Sequence, residues 1–334
     1  MSLTTTCVQT NETAVSPTTI PTSTSAPTAT PTPEPITGPV GYYGELIARG
    51  NRIHGAKTDA PAQVRGMSFF WSNTGWQQDH WYTAATVDRL VDEFNVELVR
   101  AAMGVEEDGG YLHDPQNKDR LETVVQAAIA RDIYVIIDWH THHAEDNTEE
   151  AVKFFAEMAE KYGHHDHVIF ELYNEPLNTT SWQTIKTYAE QVIPAIRQHS
   201  DNLIVVGTRT WSQNVAEAAQ DPIDDPNLAY SLHFYVGSHG NGVRQQAETA
   251  LANGVALFVT EWGIWPEEWG PDGMDANDWM AFVDEHQLSW ANWAISNKSE
   301  PPSFFNLGSN PTVTENGRFV QNQLNKGAAD APWR

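Results

Sequence analysis

Eight short apolar runs, rich in β-branched residues, recur along most of this 334-residue chain. Runs such as YVIIDWH and LIVVGT are continuously apolar, which is typical of parallel strands buried on both faces. The predicted strands are Gln63–Phe70, Glu97–Met103, Tyr134–His140, Val168–Asn174, Leu203–Thr208, Leu228–Phe234, Ala256–Trp262 and Leu288–Ile295.

Segments with helical periodicity separate these strands. They are Ala84–Phe94, Lys118–Arg131, Glu149–Lys161, Trp182–His199, Val215–Ala219, Val243–Ala252 and Asn277–Glu285. Eight parallel strands with intervening helices predict an α/β fold, the (β/α)8 or TIM barrel. The alternative is an open doubly wound sheet, which would usually carry a glycine-rich turn after its first strand. The sequence GMSFFWSN is not such a turn.

The first 39 residues differ in composition from the rest of the chain. The stretch Thr13–Pro39 is almost entirely Thr, Pro, Ser and Ala, and it cannot bury enough apolar surface to fold. Residues 1–39 are therefore predicted to be a linker or a disordered tail, and residues 40–334 a single (β/α)8 domain. The start, MSLTTTC, lacks the basic and apolar regions of a signal peptide. We expect part of a longer secreted, extracellular protein, or a mature chain with a new initiator.

The charge of the chain limits its partners. With 19 basic and 44 acidic residues the formal charge is 19 − 44 = −25, which repels phosphate backbones and anionic lipids. Nucleic-acid binding and membrane docking are therefore not expected, and no apolar run approaches the roughly 18 residues of a membrane span. Cys7 is the only cysteine, so neither an intrachain disulfide nor a thiolate metal cluster can form.

Catalytic groups of such barrels lie at the carboxyl-terminal ends of the strands. A packed strand normally ends in turn residues, so many polar and aromatic residues converging on one rim predict a functional site. The predicted ends carry Phe70 and Trp71, Arg100, Asp138–His140, Asn174 and Glu175, Thr208, His233–Tyr235, Glu261 and Trp262, and Trp293.

Two carboxylates, Glu175 and Glu261, end the fourth and seventh predicted strands, which face each other across a barrel mouth. Both lie in apolar runs, where an unpaired charge is costly. Paired carboxylates in unlike surroundings perform glycoside hydrolysis, because one must hold a proton while the other stays ionised. Arg100 and Tyr235 are candidates for ionising the nucleophile. The alternative is that both glutamates only pair with Arg100 in a structural network.

Five motifs follow one another on the predicted strand ends: DWH at 138–140, YNEP at 173–176, HFY at 233–235, TEWG at 260–263 and WANW at 290–293. With them, the chain from about Gly66 to Gly308 resembles glycoside hydrolase family 5, and most of all its bacterial endo-β-1,4-glucanases, the cellulases. The resemblance implies endo-acting, retaining hydrolysis of cellulose or related β-glucans by double displacement, without a cofactor.

The resemblance also implies residue roles. Glu175 would be the acid/base and Glu261 the nucleophile. Asn174 would hydrogen-bond the sugar 2-hydroxyl at the cleavage site. Tyr235 and Arg100 would orient and ionise Glu261.

Five further residues would contact the sugar or the acid/base. His233 would interact with the acid/base or the bound sugar, and His140 would line the cleavage subsite. Trp293 would form a platform for the sugar before the scissile bond. Lys298 and Glu300 resemble a pair that binds a more distant glucosyl unit.

The chain has 13 tryptophans. Indole offers a flat apolar face to the C–H face of a sugar ring, so Trp81 and Trp293 are the predicted sugar platforms, and Trp211 is a further predicted substrate-binding residue. Nine tryptophans lie at or beyond predicted strand ends: Trp71, Trp76, Trp81, Trp139, Trp211, Trp262, Trp265, Trp269 and Trp293. Core packing is the alternative for Trp139, Trp262 and Trp290.

The first loop departs from the family pattern. Many relatives carry GMSSHG, whereas this chain has GMSFFW at Gly66–Trp71, with Phe70 near the place of the histidine. Some relatives share an FWSN-type variant, so we interpret the difference as a subgroup feature.

Three other functions compete with this interpretation. The His-x-His pattern at His140–His142 could hold a metal, but such sites normally need a late Asp, and strand eight has none, so no metal is predicted. A catalytically silent glucan-binding barrel would lack a catalytic carboxylate. A mannanase, xyloglucanase or mixed-linkage glucanase would share the same residues, and this alternative stays open. We expect a monomer whose partner is a β-glucan, with a carbohydrate-binding module joined through the linker.

Overall fold

The computed structural model of this chain describes residues 1–7, 9, 38–265, 269–309 and 311–334. Contacts divide the chain into a unit of Met1–Pro35 and a unit of Ile36–Arg334. In the first unit, residues 1–7 and 9 form neither helix nor strand. The predicted linker stretch Thr13–Pro39 lies outside the described residues except for Gly38 and Pro39. Across the described ranges, no helix is long and apolar enough to cross a lipid bilayer.

A closed barrel of eight parallel strands forms the second unit, in the order β10-β3-β4-β5-β6-β7-β8-β9. This confirms the predicted fold. Each strand lies within or almost within its predicted range, but β6 stops at Glu171, three residues early. The strands are β1 Leu46–Arg49, β2 Arg52–Gly55, β3 Arg65–Phe69, β4 Leu98–Gly104, β5 Tyr134–His140, β6 Val168–Glu171, β7 Ile204–Val206, β8 Leu228–Tyr235, β9 Ala256–Gly263 and β10 Trp290–Ile295.

Helices surround the barrel, and polar side chains fix where several of them begin. Thr83, Ser181 and Thr314 each accept a hydrogen bond from the backbone N–H three residues later, which satisfies a donor that the helix leaves unpaired. The helices are Pro39–Tyr43, Ala84–Phe94, Gln116–Ala130, Thr148–Tyr162, Trp182–Arg197, Arg209–Ser212, Val215–Gln220, Asn241–Ala252, Ala276–Glu285 and Glu315–Asp330, with 3-10 turns at Thr74–Trp76, Asp79–Trp81 and Ala144–Asn147.

Two parts of the barrel were absent from the sequence prediction. The helix Glu315–Asp330 follows β10 and packs on β3 and on the helix Ala84–Phe94, so it is the eighth helix of the barrel. The antiparallel hairpin β1–β2 places Leu46 and Ile53 in an apolar cluster with the first residues of the barrel strands.

The barrel interior changes from apolar to polar along the strands. In β4, Leu98 belongs to the apolar cluster beside the hairpin, Arg100 is fully buried two residues later, and Ala102 contacts an aromatic cluster that contains Phe70 and Trp293. Val99 and the other alternate residues face the surrounding helices. A buried arginine at mid-height requires acidic partners, and these lie at the same level on neighbouring strands.

Candidate active site

The carboxyl-terminal ends of the strands bring the predicted site residues together. Arg100 lies on β4, Asn174 and Glu175 follow β6, and the remaining three lie on β8 and β9: His233, Tyr235 and Glu261. The segment before Glu175 approaches β7 closely, because a Cβ on Gly207 would lie 2.1 Å from the carbonyl oxygen of Tyr173. This position therefore requires glycine.

Glu175 and Glu261 face each other at short range. One carboxylate oxygen of each and one ring nitrogen of His233 all lie within 4.8 Å of one another. Retaining glycosidases hold their two carboxyl groups about 5–5.5 Å apart, whereas inverting enzymes need about 6.5–9.5 Å to admit a water. The short separation fits covalent attack by one glutamate rather than inversion.

Glu261 is held by donors on both carboxylate oxygens. Arg100 Nη1 lies 3.0 Å from Oε2, and the Tyr235 hydroxyl donates to Oε1 at 2.6 Å. Burial and the nearby charge of Glu175 raise the pKa of Glu261, while His233, Arg100 and Tyr235 oppose that rise. These donors favour the ionised form of Glu261, as a nucleophile requires.

Glu175 has different neighbours. His233 Nδ1 lies 2.9 Å from Oε1, and His142 Nδ1 lies 3.7 Å from Oε2. Burial raises the pKa of Glu175 to about 7, against the smaller opposing effects of His142 and Arg100. Burial also lowers the pKa of His233 to about 4, so this ring is neutral near pH 7. A carboxyl group beside a neutral ring can keep a proton, as a general acid must.

The pH profile follows from these surroundings. Activity on a β-glucan is expected to fall as the pH rises through about 7, because Glu175 then loses the proton that the first step needs. It should also fall on the acid side, where Glu261 takes up a proton, and the raised pKa of Glu261 moves this limb to higher pH than an unperturbed glutamate would give. The profile of kcat/KM against pH measures both limbs, which belong to the coupled pair. An undiminished rate well above pH 7 would contradict the assignment of Glu175.

Arg100 is the centre of a buried network that the sequence analysis did not identify in full. Its Nε lies 2.6 Å from Glu171 Oε2, and its Nη2 lies 2.9 Å from Asp138 Oδ2 and 2.7 Å from Asn174 Oδ1. Burial raises the pKa of Asp138 well above its ordinary value. Glu171 was missed, although a charge inside the apolar run VIFELYNEP should itself indicate a buried partner.

The network also extends to hydroxyl groups. Thr260 donates a hydrogen bond at 2.6 Å to Glu171 Oε1, and Ser231 Oγ lies 3.0 Å from His233 Nε2. Thr260 Oγ1 is in turn 2.9 Å from His233 Nε2. These contacts fix the ring of His233 and, through it, the carboxyl group of Glu175.

Aromatic residues line one part of a cavity of about 610 Å³ that Glu175, His233 and Tyr235 also line. Trp293 lies on this cavity, and its ring stacks on His140 with centroids 5.2 Å apart and planes 7° apart. His140 itself is buried and hydrogen-bonds Asp138 at 2.7 Å. The structure therefore places His140 against one face of the Trp293 ring. Phe70, from the variant first loop, also lines the cavity.

Lys298 and Glu300 lie at the edge of the same cavity. Lys298 Nζ is 4.4 Å from the centre of the Phe70 ring, 5.1 Å from that of Trp76 and 3.5 Å from Glu300 Oε2. Glu300 lines the cavity directly, as does Trp211, whose side chain is 38% exposed. The structure thus brings these three predicted binding residues to the cleft.

Trp81 is not at the cleft, contrary to the sequence prediction. It is only 9% exposed, and its ring stacks on Phe305 with planes 12° apart and centroids 4.9 Å apart. Trp81 does not line the cavity, unlike Trp293, and Phe305 covers one face of its indole, so Trp81 packs the loop instead of facing the cleft. Trp139, Trp262 and Trp290 are fully buried, in agreement with core packing.

Glu175, His233 and Glu261 are the one group in the described ranges whose ligand atoms are close enough to surround a metal ion. Arg100 and Tyr235 already occupy both oxygens of Glu261, and the positive guanidinium opposes a second cation there. The residues fit a carboxylate pair better than a metal centre. His140 and His142 do not form such a group in the described residues.

The (β/α)8 barrel, with two closely spaced and unlike carboxylates at its mouth, is the arrangement of a retaining glycoside hydrolase. The family described as cellulase, glycosyl hydrolase family 5, has a model that matches residues 55–299. The chain belongs to this family, as its motifs predicted.

Curated relatives extend this finding. Endoglucanase Z of Dickeya dadantii is 50% identical over 280 residues, which cover 83% of this chain and 65% of the relative. Endoglucanase A of Evansella cellulosilytica is 40% identical, over 81% of this chain and 58% of the relative. The chain thus spans less than two thirds of the length of these relatives.

Solved structures share the fold over almost their whole length. A structure from Cytophaga hutchinsonii has a TM-score of 0.83 and 42% identity, over 89% of this chain and 98% of that one. The catalytic domain of a Thermobifida fusca endoglucanase, in a variant complexed with cellotetraose, has a TM-score of 0.76 and 31% identity, over 86% and 99%.

Proposed function

We propose that this chain hydrolyses β-1,4-glucosidic bonds within cellulose or related β-glucans, with retention of the anomeric configuration. The observation that carries the proposal is the unlike surroundings of the two glutamates. Glu261 lies between Arg100 and Tyr235, whereas Glu175 hydrogen-bonds a neutral His233. The endoglucanase names of the relatives and the cellotetraose bound to one of them support a β-glucan substrate.

The first step forms a glycosyl-enzyme. Glu175 gives its proton to the glycosidic oxygen as that bond breaks, and Glu261 attacks the anomeric carbon from the opposite face. Arg100 and Tyr235 hold the attacking carboxylate in place. Asn174, whose amide is oriented by Arg100, hydrogen-bonds the sugar 2-hydroxyl.

The second step releases the sugar. Glu175, now ionised, takes a proton from a water molecule, and the resulting hydroxide attacks the anomeric carbon. The ester bond to Glu261 breaks, and Glu261 leaves as a carboxylate. Two inversions give net retention, and the proton returns Glu175 to its starting state.

The substrate is held along the aromatic cleft. Trp293 stacks on the sugar before the scissile bond, and Lys298 with Glu300 hydrogen-bonds a more distant glucosyl unit. Their position beside Phe70 and on the cavity edge supports this assignment.

Two assays test the proposal and its competitors. Proton NMR of the first product should show the β-anomer, and an initial α-product would refute retention. Reducing-end release from carboxymethylcellulose, lichenan, glucomannan, xylan and xyloglucan should be fastest on the two glucans. No release from any of them would favour a silent binding barrel, and a preference for glucomannan or xyloglucan would favour a mannanase or xyloglucanase.

We further propose that the enzyme acts as a secreted monomer joined through residues 1–39 to a carbohydrate-binding module. The Thr- and Pro-rich composition and the greater length of the relatives support this. Enzyme activity in the culture medium of the source cells, as a longer polypeptide, is the expected result, and cell-bound activity at the present length would contradict it.

The acidic surface predicts salt tolerance. The linker region carries Glu12 and Glu34 and no base, so the remainder has a charge of −25 + 2 = −23. Salt screens the mutual repulsion of these charges, so the melting temperature and activity should hold or rise between low and molar salt. A clear fall in both, measured by thermal unfolding and glucan hydrolysis, would show that the acidic surface serves solubility alone.

A further inference from the structure

A fully buried carboxylate, Glu171, lies behind both proposed catalytic glutamates. Its Oε2 is 2.6 Å from Arg100 Nε, and Arg100 in turn holds Glu261. Its Oε1 accepts a hydrogen bond from the Thr260 hydroxyl at 2.6 Å. The sequence motifs assign Glu171 no role, and neither step of the proposed hydrolysis uses it.

Two hydroxyl groups lie between Glu171 and the ring of His233. Thr260 Oγ1 is 2.9 Å and Ser231 Oγ is 3.0 Å from His233 Nε2. Glu171 Oε1 is 4.0 Å from the same nitrogen, so the hydroxyls bridge the two groups. The hydroxyls also hydrogen-bond each other. All four side chains are fully or almost fully buried, so bulk water does not compete for these hydrogen bonds.

The available protons fix the direction of these hydrogen bonds. Glu171 is the ion-pair partner of a guanidinium, which has only donors, so its carboxylate only accepts. The Thr260 proton is therefore directed to Glu171, and the Ser231 proton to Thr260. Neither hydroxyl has a proton left for the ring of His233, so Nε2 must donate.

The other ring nitrogen, Nδ1, is then a bare acceptor. Burial lowers the pKa of His233 to about 4, so the ring is neutral near pH 7 and carries one N–H. Nδ1 lies 2.9 Å from Glu175 Oε1. A hydrogen bond across this distance therefore needs a proton on Glu175.

We propose that Glu171 is a positioning residue that fixes, through Thr260, the tautomer of His233 whose Nδ1 accepts a hydrogen bond from the proposed acid. The inference rests on the proposed function of that acid, Glu175. The hydrogen bonds run in one direction, from Glu175 to His233, then to Thr260 and finally to Glu171. The protonated form of Glu175 has an acceptor for its proton, whereas its carboxylate would face a bare nitrogen.

This direction serves both steps of the reaction. In the first step, Glu175 gives up its hydrogen bond to Nδ1 and transfers that proton to the glycosidic oxygen. In the second step, its carboxylate meets no donor on the ring of His233, so it readily takes a proton from the attacking water. The opposite tautomer would donate from Nδ1 to the carboxylate and make Glu175 a weaker base.

NMR of protein with 15N-labelled histidine rings observes the tautomer directly, because a ring nitrogen with a proton and one without differ widely in chemical shift. The His233 signals are assigned by their absence from His233→Gln and by contacts of the ring protons with Thr260. Near pH 7, the wild-type protein should show a proton on Nε2 and none on Nδ1. A proton on Nδ1 would overturn the proposal, and no activity measurement enters this result.

Glu171→Gln should reverse the tautomer. Because the guanidinium of Arg100 has only donors, the new amide oxygen must face it, and the amide N–H must face Thr260. Thr260 then accepts, and its own proton is directed to Nε2, which moves the ring proton of His233 to Nδ1. Thr260→Ser, which keeps the hydroxyl, should retain the wild-type tautomer. An unchanged tautomer in Glu171→Gln would leave Glu171 a purely structural partner of Arg100 and overturn the proposal.

The pH profile tests the consequence for catalysis in a variant that keeps every charge. Ser231→Ala combined with Thr260→Val removes both bridging hydroxyls and leaves Glu171 in place. The ring of His233 is then free to donate from Nδ1, so the basic limb of kcat/KM should move to lower pH by about one unit, the effect of one hydrogen bond to a carboxylate. The conservative Thr260→Ser should keep the limb in place. The other charged and titratable groups around Glu175 are the same in all three proteins: Arg100, Asp138, His142, Glu171, Tyr235 and Glu261.

The outcomes separate this inference from the proposed function. An unmoved basic limb in the double variant, or an equal shift in Thr260→Ser, overturns the role of the hydroxyls in a protein that still hydrolyses glucan. Absence of hydrolysis by the wild-type protein overturns the proposed function, whereas the NMR spectrum still decides the tautomer.

Discussion

Replacement of the proposed nucleophile, Glu261→Gln, is expected to lower kcat on soluble β-glucan by about four orders of magnitude or more. The two glutamates act as one catalytic unit, so loss of either one removes most of the rate enhancement of the pair. Glutamine keeps the shape of the side chain but cannot form the glycosyl ester. Reducing-end release at saturating substrate measures the loss. Glu248→Gln, on the exposed face of the helix Asn241–Ala252, is the control and should retain wild-type kcat.

The same replacement should not destabilise the fold. Arg100 faces Asp138, Glu171 and Glu261 in a fully buried cluster, so removing one carboxylate reduces repulsion among acids. The melting temperature of Glu261→Gln should equal or exceed that of the wild-type protein. Unchanged activity of Glu261→Gln would contradict the assignment of Glu261 as nucleophile. A large fall in the melting temperature of this variant would indicate that Glu261 is mainly a structural partner of Arg100.

The second large effect concerns the proposed acid. Glu175→Gln is expected to lower kcat/KM on cello-oligosaccharides by about three orders of magnitude or more, since a sugar alkoxide is a poor leaving group without a proton. A β-cellotriosyl fluoride needs no such protonation, so its first step should be far less affected. The ratio of the two kcat/KM values, compared with that of the wild-type protein, measures this difference.

Azide provides the complementary readout for Glu175→Gln. A small anion can attack the glycosyl-enzyme without a general base, so azide should accelerate turnover of the fluoride and give a β-glycosyl azide. The basic limb of the pH profile should also disappear with the titrating group. Equal losses on both substrates, with no effect of azide, would assign Glu175 a role other than acid/base.

The barrel and most of its rim could be predicted from the sequence because both rest on local patterns. Buried parallel strands are continuous apolar runs, and the carboxyl ends of eight such runs must meet on one rim. Glu175, Glu261, Arg100 and Tyr235 were therefore brought together by topology alone. Their distances and the raised pKa of each glutamate depend on packing, which no local pattern contains.

The differences between the sequence predictions and the structure have identifiable physical causes. Trp81 lies at a predicted rim position, but Phe305, which is over 200 residues away in sequence, covers its ring. Trp139 and Trp262 are instead buried in the core, the alternative considered for them, because each neighbours an inward-facing acid, Asp138 or Glu261, and alternation along the strand turns the indole outward from the barrel axis.

The C-terminal helix escaped prediction for another reason. In Glu315–Asp330, Val320 and Leu324 are the large apolar residues that the helix buries. Such a short apolar stripe gives little periodicity, so tertiary contacts with β3 and the helix Ala84–Phe94 define this helix more than its own pattern does.

The central claim is that Glu261 forms a covalent bond to the sugar while Glu175 moves the proton. Incubation with a 2-deoxy-2-fluoro-β-cellobioside carrying a good leaving group slows release of the intermediate, so that mass spectrometry of proteolytic peptides can locate the attached sugar. We expect one cellobiosyl unit per chain, on the peptide that contains Glu261. A label on Glu175, or rapid turnover of the reagent without any covalent label, would contradict it.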